Sequence, residues 1–362
     1  MQARRWFTFF AVIATFVLAT VSGAVGYKQT TNVDKQLARV KAFEEISALR
    51  RQKPADFAAI ERVYRKVLQP TVKNRDKEFG TEMDAVILGA IGGGKAGKMP
   101  RLAGQIVEKG LKRVFYLNVL HEIRAAKATF ADKSAKGAPN KWDEAWAYYT
   151  ALQGTAKARN PMLDERILAA LENGQKAIQK GDLTEMEVQG QIVDKTLIKV
   201  FYLSVLHEVN TLVHGAARGP AKQKEWQVEG AVYYSAIEGK MARNPSGAKL
   251  VKAQLHGDVN AVQPLTIKRE MIKAFLATAR HEIISTFTNW AKPKARITAW
   301  ETGVYSAVFE EDMQERMGLA FTNELQRQIG DFIRATERKD LDEAGKVSEA
   351  ILEQLAAYER AL

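Results

Sequence analysis

The sequence predicts an all-α protein: a bundle of duplicated long helical hairpins, with three clear repeats and a degenerate N-terminal one. Three observations carry this. Apolar residues recur at three- and four-residue spacing after residue 30, as in Leu111, Val114, Phe115, Val119 and Ile123, and again in Leu197, Val200, Phe201, Val205 and Val209. The two-residue alternation of strands is absent. A 19-residue stretch, GQIVEKGLKRVFYLNVLHE ending at Glu122, returns as GQIVDKTLIKVFYLSVLHE ending at Glu208. A worn third copy, IKAFLATARHE, ends at Glu282.

Taken in chain order, the first element is a leader. Arg4 and Arg5 precede an uncharged apolar run, Trp6 to Val21, and the small residues Ser22, Gly23 and Ala24 follow. This is the pattern of a secretory signal peptide spanning residues 1–24, with cleavage after Ala24. Arg-Arg-Trp-Phe also partly matches a twin-arginine export signal. The rival reading is a retained anchor, for which the run falls a little short of the roughly 20 residues that span a bilayer. Either way the rest of the chain is expected in the periplasm or secreted.

Residues 25–362 read as one repeat domain, with repeats near 33–75, 98–161, 182–245 and 258–317 and closing helices over 318–362. Each repeat holds a helix A, ending in a His-Glu pair, and a helix B with a glutamate four residues before a tyrosine. In the degenerate copy Lys41–Ile46 stands for helix A and Ile60–Tyr64 for helix B. Turn signals separate the elements: Lys136–Asn140, Asn160-Pro161, Gly181-Asp182, Gly219-Pro220, Asn244-Pro245 and Lys292-Pro293. Gly92-Gly93-Gly94 reads as a flexible loop. Asp182-Leu-Thr-Glu185 and Asp340-Leu-Asp-Glu343 read as helix N-caps. The histidines stand 86 and 74 residues apart. These spacings exceed the roughly 34 to 47 residues of helical solenoid units, which favours a bundle.

Composition excludes several chemistries. Among 362 residues there is no cysteine, which removes disulfides, thiolate metal sites and a cysteine nucleophile. The net charge of +12 comes from basic residues scattered among acids, so no nucleic-acid partner is expected. No P-loop, dinucleotide fingerprint or Gly-x-Ser-x-Gly elbow occurs, and without a His-Glu-x-x-His motif no zinc protease is expected.

The repeated polar positions are the candidate site: His121, Glu122, Glu144 and Tyr148; His207, Glu208, Glu229 and Tyr233; His281, Glu282, Glu301 and Tyr305. A glutamate inside an apolar helix is costly to bury without a partner. Glutamate and histidine from facing helices are the ligand set of carboxylate-rich iron and manganese sites in bundles. Two readings stand side by side. In one these residues bind metal. In the other, histidine and glutamate bond locally, and the helix-B acids pair with arginines such as Arg159 or Arg243. His214, seven residues after His207, lies on the same helix face, and His256 falls in a loop. The tryptophans Trp142, Trp226 and Trp300 slip by one position between copies, which assigns them to packing.

The repeated Phe-Tyr-x-x-x-Leu-His-Glu and Trp-x-Glu-x-x-x-Tyr-Tyr resemble the Fe-assimilating, or low-iron-inducible periplasmic, proteins of algae and bacteria. The likeness runs from about Lys35 to the C-terminus and rests on Phe115–Glu122, Trp142–Tyr149, Phe201–Glu208 and Trp226–Tyr234. The third copy departs from it, with Thr278-Ala279-Arg280 before His281 and one tyrosine in helix B. The resemblance implies a non-catalytic capture of iron, ferrous or ferric, with another divalent metal as the alternative cargo. The expected partners are the metal ion and an envelope uptake component, with membrane contact only through an uncleaved N-terminal segment. A helical scaffold or adaptor, or an organic-ligand receptor, is the competing function.

Overall fold

The computed structural model describes residues 27–131 and 137–362, all helices, turns and short connections with no strand among them. The expected leader, residues 1–24, lies outside the described residues. The helices are α1 (Asp34–Arg51), α2 (Phe57–Val63), α3 (Gln69–Phe79), α4 (Met83–Lys95), α5 (Pro100–Ala131), α6 (Gly137–Arg159), α7 (Pro161–Lys180) and α8 (Leu183–His214). They continue as α9 (Pro220–Ile237), α10 (Pro245–His256), α11 (Pro264–Thr288), α12 (Lys294–Ser306), α13 (Glu310–Met317), α14 (Leu319–Arg338) and α15 (Leu341–Arg360). A π-helical turn, Tyr64–Leu68, joins α2 to α3.

The boundaries follow local chemistry. Asn160 and Asn244 cap α7 and α10, each with proline at the first helical position, where its missing N–H costs nothing. Gly181 closes α7 in the left-handed conformation, at φ 75°, and Asp182 then caps α8 through the Glu185 amide. Asp340 caps α15 in the same way. His256 ends α10 rather than lying in a loop.

Gly92–Gly94 corrects the expectation of a flexible loop, because these glycines lie inside α4. The reason is a close approach. A Cβ on Gly94 would fall 2.4 Å from the Phe57 ring, so only glycine lets α4 press against α2.

Four long helices, α1, α5, α8 and α11, run side by side, and α6, α9 and α12 fill the grooves between them. Thus α6 touches α1 and α5, α9 touches α5 and α8, and α12 touches α8 and α11. A further helix packs outside: α7 on α6 and α8, α10 on α9 and α11, and α14 on α12 and α15. These outer helices are a third element that the two-helix reading omits.

A ladder of aromatic rings threads the array. Phe115 meets Phe43 and Tyr148 at 5.3 and 6.0 Å, Phe201 meets Tyr116 and Tyr233 at 5.2 and 6.0 Å, and Phe275 meets Tyr202 at 5.7 Å. Such contacts add to the burial of large rings. Helix α8 is long and apolar enough to cross a bilayer, yet 67% of its apolar window is buried by its neighbours, so here it is a core helix.

Candidate functional site

Adjacent residues on a helix diverge by about 100°. In all three His-Glu pairs the glutamate takes the side that faces the packed groove, and the histidine takes the other. The expected sets are therefore split. Glutamates and tyrosines come together, and the histidines stand apart.

In the first cluster Glu122 of α5 and Glu144 of α6 are both buried. Lys141, one turn before Glu144, places its Nζ 2.7 Å from Glu144 Oε2 and 3.2 Å from Glu122 Oε2. Glu122 Oε2 is buried without a well-oriented hydrogen-bond donor. Burial, then the hydrogen bond and charge of Glu144, push the Glu122 carboxyl up to about 7, against the pull of Lys141. Tyr148, one turn beyond Glu144, accepts a hydrogen bond from Arg39 of α1. Burial raises its phenol, with Arg39 opposing. His121 turns to α3 instead, where its Nδ1 lies 2.8 Å from Glu78 Oε2. Arg75 holds the same Glu78 at 3.0 Å. Burial and the Arg75 charge lower the His121 pKa.

The second cluster joins Glu208 of α8 and Glu229 of α9, both buried. Its cation arrives from a third helix. Lys109 of α5 lies 3.4 Å from Glu229, 3.3 Å from Glu108 and 5.7 Å from the centre of the Tyr233 ring. Arg159 stands 4.0 Å from Glu208. Burial and the nearby Glu229 push Glu208 up to about 7. Burial also raises Glu229, with Lys109 opposing. His207 is exposed and borders a surface cavity with His214, Arg218 and Trp226.

The third cluster repeats the plan. Lys195 of α8 lies 3.0 Å from Glu301 of α12, 2.9 Å from Asp194 and 5.4 Å from the Tyr305 ring centre. Asp194 also accepts from the Tyr116 hydroxyl at 2.7 Å and meets Lys240 at 3.4 Å. Burial and Glu301 push Glu282 of α11 up to about 7. His281 is half-buried, and burial lowers its pKa, followed by the charges of Arg243 and Lys294.

Among the described residues, no group of three or more His, Cys, Asp or Glu side chains is gathered closely enough to hold a metal ion. Each cluster supplies two carboxylates and a phenol, with an ammonium beside them. Lys109 and Lys195 were legible in principle. The pairs Glu108-Lys109 and Asp194-Lys195 occupy matching places in the repeated stretch, as charged residues within an apolar helix. Asp143 had no such signal. It is fully buried next to Glu144 and accepts from the Thr30 and Thr31 amides at 2.8 and 2.7 Å, from both of their hydroxyls and from Tyr27. It thereby fastens the segment before α1 onto α6.

The chain finds no match among protein-family models, curated proteins or solved structures.

Proposed function

We propose that this is an exported, non-catalytic protein, built from duplicated helical hairpins, that captures a hard metal cation, foremost iron, at glutamate pairs between facing helices. The observation that carries the reading is the pairing of two carboxylates in one groove, buried in the first two clusters and half-buried in the third, with the helix-A glutamate pushed up to about 7 each time. Like charges so placed hold a proton between them, and a metal ion can take that proton's place. With the histidines turned away, the donors are carboxylate and phenol oxygens. These favour iron or manganese over zinc or copper. The resemblance to the Fe-assimilating proteins points the same way. Delivery to an envelope uptake component would then be the protein's task.

A second reading is favoured by the lysines. Lys141, Lys109 and Lys195 stand 2.7, 3.4 and 3.0 Å from Glu144, Glu229 and Glu301. In this reading the acids are ion pairs that fix the register of a helical scaffold.

Anaerobic titration of tag-free protein with ferrous ion, and separately with a ferric chelate, decides between them. The first reading expects metal uptake with proton release, lost in a Glu122→Gln/Glu208→Gln/Glu282→Gln variant and kept in His121→Gln. If the parent takes up no metal, and metal leaves its melting temperature unchanged, the scaffold reading stands.

A further inference from the structure

We infer that the turn between α8 and α9 forms a binding site for a small aromatic carboxylic acid, with the ring on Trp226 and the carboxylate on Arg218. This goes beyond the metal-binding reading and does not depend on it.

The site is a surface cavity of about 570 Å³, within the size range of small-ligand sites. Glycines shape the turn that forms it. A Cβ at Gly215 would fall 2.5 Å from the Trp226 ring and 2.6 Å from the Thr211 carbonyl oxygen, so only glycine lets α8 stop against the indole. A single 3-10 turn, Ala216–Arg218, follows, and Gly219 at φ 89° leads the chain into α9. Arg218 thereby comes to the cavity, and the half-buried Trp226, two turns into α9, forms a wall. His207 and His214 lie seven residues apart on one face of α8, about 10 Å along its axis, with Asn210 and Thr211 between them.

Charge and uncommitted groups define the ligand. Among the described residues, no carboxylate lines the cavity. Glu225, next to Trp226, is buried outside the lining, held by Lys222 at 2.8 Å and Gln105 at 3.2 Å. Lys222 also places its ammonium 5.0 Å from the centre of the Trp226 ring. Partial burial, then the charges of Arg159 and Lys109, lower the His207 pKa, so cations flank this face of α8 as well. The carbonyl end of a helix disfavours an anion, but here it is answered. His214 Nδ1 lies 2.8 Å from the Asn210 carbonyl oxygen, and the Gly215 amide donates to that of Thr211 at 2.8 Å.

Among the described residues the Arg218 guanidinium has no acid partner and the Trp226 indole N–H has no acceptor. The related tryptophans differ: Trp142 donates to the Leu171 carbonyl at 2.7 Å, and Trp300 meets Glu337 at 3.4 Å. A flat ring can stack on the open indole. Its carboxylate then meets a guanidinium that offers two parallel N–H donors. An inorganic anion would leave the indole unused, and a neutral ring would leave Arg218 unanswered.

The probe is naphthoate, titrated by calorimetry into the full chain, which is expected to bind one equivalent. Arg218→Gln should weaken binding by about tenfold, the loss of one charge-assisted contact. Asn210→Trp, a substitution at an exposed position that fills the cavity, should abolish it. Circular dichroism checks that both variants are folded. Naphthalene carboxamide and inorganic phosphate should each bind more weakly than naphthoate. No binding by the parent, or unchanged affinity in Arg218→Gln and Asn210→Trp, overturns the inference. So does binding of the amide or of phosphate as tight as that of naphthoate.

Discussion

Gly174 of α7 lies flat against the indole of Trp142 on α6, so that a Cβ at Gly174 would fall 2.0 Å from Trp142 Cζ2. The ring cannot withdraw. It is fully buried, and its Nε1 donates to the Leu171 carbonyl at 2.7 Å, one turn earlier on the same α7. This fits the packing role read from the slipping tryptophans. Gly174→Ala is expected to destabilise the protein by about 1 to 3 kcal/mol through overpacking, despite alanine's better helix propensity. Urea denaturation measures it, and a variant as stable as the parent would show that the groove yields.

Asp143 gathers the residues before α1. Without its carboxylate, the Thr30 and Thr31 amides and the Tyr27 hydroxyl lose their common acceptor. Hydrogen bonds to a charged group contribute about 1.5 to 3 kcal/mol each. Asp143→Ala should therefore cost about 3 kcal/mol and free the segment. Trypsin should then cut at the exposed Lys28 and Lys35 well before the core opens. Equal cutting rates in variant and parent would refute the anchoring role.

Lysines of different burial should differ in what they contribute. Lys195→Met strands Glu301 and leaves Asp194 with Lys240 and the Tyr116 hydroxyl, and a loss of about 3 kcal/mol is expected. Lys141→Met removes a partly exposed lysine from two buried acids, and a smaller loss of about 1 to 2 kcal/mol is expected. Paired chemical denaturation curves report the difference. Similar losses would show that the exposure of the lysine does not set its contribution.

Stability should carry a pH signature with two limbs. Glu122, Glu208 and Glu282 are raised from 4.5 to about 7, so between those values the folded chain binds more protons than the unfolded one. Stability then falls as pH rises from 4.5 to 7, by up to about 3 kcal/mol for Glu122 and Glu208 and by less for the more exposed Glu282, which solvent screens. Glu108 works in the opposite sense. Lys112, Lys109 and Arg50 overcome the effect of burial and lower it to about 2. Its contribution is complete above pH 4.5 and is lost as pH falls toward 2. Melting temperatures at pH 5 and 8 should differ less in a Glu122→Gln/Glu208→Gln/Glu282→Gln variant than in the parent. An undiminished slope would place the titration elsewhere.

The parts of this molecule that could be read from its sequence are those written locally. Helical periodicity, the Asn-Pro starts of α7 and α10 and the Asp182 cap depend on neighbours within a few residues, and the helices fall where those signals put them. The glycines of α4 misled because their reason, the Phe57 ring, sits on another helix. The candidate site shows the same division. Glu122 with Glu144 and Tyr148 share one hairpin and were foreseeable. The lysines that answer Glu229 and Glu301 come from α5 and α8, 120 and 106 residues earlier by their numbers, Lys109 and Lys195. The histidines were grouped with the acids by adjacency, but a helix sends neighbouring side chains in different directions.

Helix α5 gives Glu122 to one cluster and Lys109 to the next, 13 residues or about 20 Å away along its axis. Helix α8 does the same with Glu208 and Lys195. Each long helix is thus a shared wall. A fragment cut from the middle of the chain would carry acids without their ammonium at one end and an ammonium without its acid at the other. Both exposed ends would then be complementary to a second copy of the fragment, so trimming this protein should yield head-to-tail association sooner than a smaller stable monomer.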